Sequence, residues 1–210
     1  MCIVVRGSSF CENLMYLFGY ETLCYTLFED RQLVDTVAKK LLECEESACK
    51  VVLQSKRVKM YWGDDDMGFT TGTMLSPKDN KDLVLDNHKR IAELVHEAGH
   101  PYILHSCGNR KDIINDIIDF AKIDGVHSWE DNAESITDAK KNYGNRISVL
   151  GGLDVDFLCR ATESEIRKRV RETIEICQPG GGFCLGTGSS VANYIPFENY
   201  LIMLDEGRNY

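Results

Sequence analysis

Tyr102-Ile103-Leu104-His105-Ser106-Cys107-Gly108 is the stretch that decides how this chain folds. Three apolar or aromatic residues run into a histidine and halt at a glycine, which reads as a buried strand delivering polar side chains at its C-terminal end. Directly afterwards, residues 110–121 place Ile113, Ile114, Ile117 and Ile118 on one face of a helix, and residues 125–128 form another short strand. Strand, helix and strand in such close succession make a parallel β/α unit with a right-handed crossover.

The alternation continues in both directions. Upstream, Cys2–Val5 reads as a buried strand stopped by Arg6-Gly7, followed by helical spacing over 12–17 and 21–28 and a long helix from a capping Asp30 to about Ser55. Val58–Trp62 is a strand running into Gly63-Asp64-Asp65-Asp66-Met67-Gly68, and Ser76-Pro77 opens a long helix closed by Gly99. Downstream, Ser135–Tyr143 is a helix, Ile147–Leu150 a strand entering Gly151-Gly152-Leu153-Asp154, and Thr162 with Glu165 a capping box for a helix to Cys177. Gly182–Leu185 is the last strand, and a final helix starts near Pro196.

The fold class is therefore α/β, with six strands. A closed (β/α)8 TIM barrel has eight and about 250 residues, whereas this chain has 210 and reads as a single domain, 1–210. The candidates are a doubly wound open sheet and an incomplete barrel holding the last six β/α units. Polar residues gather at strand C-terminal ends, where a barrel assembles its chemistry. An open sheet places its crevice at the same ends, so this pattern is shared by both.

Composition narrows the function. The net charge of −9 excludes a broad nucleic-acid surface and a polybasic membrane patch. No apolar run reaches the ~18 residues of a membrane span, and no secretory leader is recognisable, so a cytoplasmic location is expected. Nine cysteines, an odd number without any Cys-x-x-Cys, point to reduced thiols rather than a disulfide framework or a zinc ribbon.

His105-Ser106-Cys107 is the sharpest local feature. Residues two apart in an extended segment face the same way, so imidazole and thiol can address one ion. Cys184, read as lying at the end of the last strand, would supply a third ligand from across a barrel mouth. Three N/S ligands with a vacant fourth position suit catalytic zinc. The simpler reading of such a pair is packing. Asp64-Asp65-Asp66 is either a solvated turn or a strand-end group in which Asp65 and Asp66 meet substrate. Asp154 either orients a ligand or caps the turn before Phe157. His127 reads as a packed, hydrogen-bonded histidine, and His88, His96 and His100 as outer-surface residues. Gly180–Gly182 precedes a strand instead of opening a helix, so it is no dinucleotide loop.

Gly63–Gly68, Leu104–Gly108, Gly151–Asp154, Gly180–Gly182 and Pro196-Phe197-Glu198-Asn199, taken as an ordered series, resemble the uroporphyrinogen decarboxylase superfamily, and within it the cobalamin-dependent methyltransferases. The resemblance covers nearly the whole chain. It implies zinc held by His105, Cys107 and Cys184, with Glu130 as a fourth or displaceable ligand. It also implies methyl transfer between a corrinoid on a partner protein and a small-molecule thiol or other methyl donor or acceptor. Two departures count against tetrapyrrole decarboxylation, which is the alternative activity. The arginine-rich N-terminal motif of the decarboxylases is missing, and Gly186-Thr187-Gly188 stands where they carry Gly-His-Gly. A third alternative is a non-catalytic domain that binds a ligand or a corrinoid protein. The resemblance further implies that the first two β/α units are missing and that the chain is a fragment or an abbreviated member; the open sheet edge this leaves would expose backbone groups, to be covered by a second copy, as a homo-oligomer, or by a rearranged segment.

Overall fold

The structure is a computed structural model and describes residues 3–210; Cys2, where the first strand was expected to open, lies outside the described residues. The chain divides into two compact units, one running to Asp124 and the other spanning Gly125–Tyr210.

In the first unit, β1 (Ile3–Gly7) leads through α1 (Phe10–Phe18), α2 (Tyr20–Glu29) and α3 (Arg31–Val52) to β2 (Val58–Asp64). A small antiparallel hairpin follows, β3 (Gly68–Phe69) with β4 (Gly72–Thr73). The expected long helix starts at Pro77 and is interrupted: α4 (Pro77–Asp79) passes through a π-helical segment, Asn80–Leu85, into α5 (Asp86–Glu97). Ser76 caps it by accepting the Asp79 amide, as Asp30 caps α3 by accepting that of Leu33. Then comes β5 (Tyr102–His105), the strand predicted from the deciding stretch.

Strand β2 lies parallel between β1 and β5, in a register that sets Gly63 beside Leu104 and Asp64 beside His105. All four residues of β5 are buried. Strand β1 departs from expectation: Ile3 is 36% and Val4 49% exposed. Among the described residues it pairs with β2, at the end of the strand order. Within residues 110–121 the helix is shorter and wider than expected, a turn leading into helical residues 114–115 and a π-helical segment, Asp116–Phe120, and Ile113, Ile114, Ile117 and Ile118 are buried as their spacing requires.

The second unit runs β6 (Gly125–His127), α6 (Ile136–Tyr143), β7 (Ser148–Leu153), α7 (Val155–Arg160), α8 (Glu163–Cys177), β8 (Phe183–Thr187) and α9 (Phe197–Asn209). Here β7 is the central strand, parallel to both β6 and β8. The capping box on α8 is present. Leu153, Leu158, Ile166, Val170, Ile195 and Met203 form one apolar cluster that packs α7, α8 and α9 together. Both β7 and β8 extend through their glycines, past the ends expected from sequence.

The fold is thus α/β of the TIM-barrel type, represented by six parallel strands with their intervening helical segments. Among the described residues, no helix is long and apolar enough to cross a membrane.

Candidate metal centre

The site in the first unit is built where β2 and β5 end. Beyond Asp64 the chain stays extended long enough for its acids to alternate, and the Asp65 amide donates to the His105 carbonyl at 2.9 Å. Asp64 and Asp66 are half-buried, while Asp65 is fully buried.

Asp65 is fully buried and turned toward α1, not into an open cleft as a substrate-facing acid would be. Its Oδ2 accepts the amides of Phe10 and Cys11 and its Oδ1 that of Glu12, each at 2.9 Å, so it closes the N-terminus of α1. Oδ2 also meets His88 Nε2 at 2.9 Å, and His88 Nδ1 meets the Tyr102 hydroxyl at 2.7 Å. His88 is therefore a fully buried residue, not the surface histidine expected from its polar neighbours. Burial keeps the Tyr102 phenol well above its ordinary pKa. The phenol reaches His88 because residue 63 is glycine; a Cβ there would collide with the ring. The same burial, with the Asp65 charge beside it, holds the Cys11 thiol well above its usual range.

Asp66 points the other way. Its Oδ1 accepts the Cys107 amide at 2.6 Å and stands 3.6 Å from His105 Nε2. Cys107 Sγ lies 3.5 Å from the same Nε2. One oxygen, one nitrogen and one sulfur, from Asp66, His105 and Cys107, all fall within 4.8 Å of one another. A tetrahedral zinc with Zn–N near ~2.05 Å and Zn–S near ~2.3 Å separates its ligands by roughly 3.4–3.6 Å, and the two histidine distances match that spacing. The donor chemistry fits as well: a neutral imidazole with two groups that bind as anions balances a dication. These residues fit zinc.

The surroundings fix the group. Arg6 pairs with Asp64, which lies 3.8 Å from His105 Nε2, and Ser9 donates to the Asp64 carbonyl. The Met67 amide donates to Ser106 Oγ at 3.1 Å, and Arg110 donates to the Ser106 carbonyl. Gly108, at φ +81°, lies against the backbone of Gly68 where a Cβ would collide with the Gly68 carbonyl, so the two rim loops meet without side chains between them. His105 is 8% exposed. Burial pushes its imidazole below the ordinary value, with Arg110 and Arg6 adding to the shift and the Asp66 and Asp64 carboxylates opposing it.

The remaining expected site residues belong to the second unit. Cys184 is the second residue of β8 and exposed; the strand ends at Thr187, so the thiol is not at the C-terminal end where sequence analysis put it. Three residues of strand correspond to about 10 Å. Asp154 caps α7, with Oδ1 accepting the amides of Asp156 and Phe157 and Oδ2 that of Asp131. Glu130 follows β6 and lines, with Asp131, Asp154 and Phe157, an open cleft of about 600 Å³. His127 is packed as expected, its Nε2 3.1 Å from the Thr187 carbonyl. Sequence reasoning picked out Asp66 as a substrate-facing acid, not as a donor beside His105 and Cys107, and it missed the burial of His88.

Comparison with known proteins adds two findings. The family model described as uroporphyrinogen decarboxylase (URO-D) matches residues 3–210. A solved structure described as a methyltransferase from Methanosarcina mazei superposes with a TM-score of 0.79 at 18% identity, a likeness of fold, covering 100% of this chain and 59% of that one. No curated protein sequence matches significantly.

Proposed function

The chain belongs to the uroporphyrinogen decarboxylase family, and on that premise we propose that it serves as a zinc-dependent methyltransferase, moving a methyl group between a corrinoid on a partner protein and a thiol or related acceptor. The observation that carries the proposal is the convergence of Asp66, His105 and Cys107 at the ends of two adjacent parallel strands. The methyltransferase among its structural neighbours supports the same reading. Decarboxylation would leave a thiol beside an imidazole without a task.

In this reading His105 Nε2, Cys107 Sγ and Asp66 Oδ1 hold the zinc. When bound, the ion supplies Lewis acidity that keeps an incoming thiol deprotonated and nucleophilic near neutral pH. Depression of the His105 pKa keeps its nitrogen lone pair free at neutral pH. Asp66 orients the Cys107 backbone through the 2.6 Å amide bond, so the sulfur is aimed before the site fills. Ser106 and Met67, both fully buried, keep bulk water from the inner side of the rim. Asp66 takes the place in the donor set that sequence analysis gave to Cys184.

Metal analysis of protein prepared without chelators tests the proposal, with about one zinc per chain expected and loss of metal on replacing His105 or Cys107 by Ala. Methylcobalamin should be converted, by its visible spectrum, when a thiol is supplied. Metal-free wild-type protein would sink the reading. Turnover of a polycarboxylate that survives Cys107→Ser would favour decarboxylation, and partner binding without turnover a non-catalytic role.

A further inference from the structure

The buried pair Asp65–His88 has no task in the chemistry above, yet its position beneath the donor group is suggestive. Asp65 touches β5, α1 and, through His88, α5. Its amide donates to the His105 carbonyl, its carboxylate closes the first turn of α1, and its neighbour Asp66 carries the oxygen that faces His105 and Cys107. His88, from α5 and fully buried, is the side-chain donor to that carboxylate.

We propose that His88 is a positioning residue for the metal-binding rim: through Asp65 it fixes the end of β2 and the start of α1, and thereby holds Asp66 opposite His105 and Cys107. The inference rests on the reading of those three residues as zinc donors.

Direction of the hydrogen bonds supports the assignment. The Tyr102 hydroxyl sits 2.7 Å from His88 Nδ1 and occupies that side of the ring. A carboxylate already accepting three amides acts as an acceptor, so at the 2.9 Å contact with Asp65 Oδ2 it is His88 Nε2 that donates. The carboxylate thus accepts four donors, three amides and one imidazole, which leaves it little freedom to turn. Any rotation about the Asp65 backbone would swing Asp66 Oδ1 away from the Cys107 amide and from His105. The phenol's access across Gly63 ties the same unit to the sheet. A histidine present only to fill space would be replaced well by leucine and poorly by glutamine. A positioning histidine reverses that order, because the glutamine amide can present a donor near the place of Nε2.

The test compares His88→Leu and His88→Gln by two measurements on the whole chain. The first is hydrogen exchange of the Phe10, Cys11, Glu12 and Cys107 amides in metal-free protein. The second is binding of Co2+, followed by its visible bands and its thiolate-to-cobalt absorption. For His88→Leu we expect exchange about tenfold faster or more at all four amides, Co2+ affinity reduced by about tenfold or more, and a weakened thiolate band. His88→Gln should stay within about threefold of wild type in both. Wild-type exchange at Cys107 together with an unchanged cobalt spectrum in His88→Leu would overturn the proposal, as would a larger defect in the glutamine variant. If the leucine variant does not fold, Tyr102→Phe, which removes only the hydroxyl facing Nδ1, should still speed exchange at the four amides, and its failure to do so counts against the proposal equally. Wild-type protein that binds no Co2+ would instead refute the metal reading, while the exchange measurements still judge the role of His88.

Discussion

The carboxylate of Asp66 accepts the backbone amide of Cys107 at 2.6 Å, so the acid that follows β2 is bound to the thiol residue that follows β5. Two loops far apart in sequence are thereby locked at the spacing a shared ion needs. Asp66→Asn retains an oxygen for that amide and removes the charge. Zinc affinity, measured by competition with a chromogenic chelator, should fall about tenfold or more with the fold intact. Cys184→Ser should leave the affinity within about twofold; the reverse ranking would return Cys184 to the donor set.

Burial gives His105 a folded-state pKa below the ~6.5 of a free imidazole. As pH falls through 6.5 the unfolded chain takes up the proton before the folded one does. Stability contributed by the neutral ring is therefore lost from 6.5 downwards until the folded group titrates. An NMR titration of the His105 Cε1 proton in metal-free protein should give a midpoint under 6.5. A midpoint above it would mean that Asp66 and Asp64 outweigh desolvation.

Gly108→Ala should destabilise the first unit by about 1–3 kcal/mol in urea unfolding, since the residue has φ +81° and its Cβ would meet the Gly68 carbonyl. Gly72→Ala, with no heavy atom within 4 Å of the added methyl, should change stability by less than about 0.5 kcal/mol. Equal effects at both positions would mean that the close approach of the two loops is unimportant.

Thr162→Ala removes half of the α8 capping box, in which Glu165 returns a bond to the Thr162 amide at 2.8 Å. A loss of about 1 kcal/mol is expected. Calorimetry showing no loss would indicate that the helix end frays without consequence.

Strand β5 was legible because apolar residues end abruptly at His105, and the caps at Asp30, Ser76 and Thr162 because short polar side chains precede helical periodicity. The approach of His105 to Cys107 followed from the two-residue repeat of an extended chain. Which of three successive acids turns inward did not, since each step along the strand reverses the face. His88 sits among Asp86, Asn87, Lys89 and Arg90, a solvated pattern by composition; its burial depends on Asp65 and Tyr102, partners that local sequence does not reveal. Cys184 was misplaced because the last strand was read as ending at Leu185, whereas β8 runs on to Thr187. Strand β1 read as buried from its branched residues, but side-chain burial depends on what covers each face of the strand, which local sequence does not reveal.

The first turn of α1 has its amides engaged by a carboxylate of the same chain. Helix beginnings elsewhere serve as ready receptors for phosphate or sulfonate, and here that receptor is filled from within. An anionic tail on a small molecule entering this rim gains nothing from α1, so selection among ligands by such tails must draw on other donors.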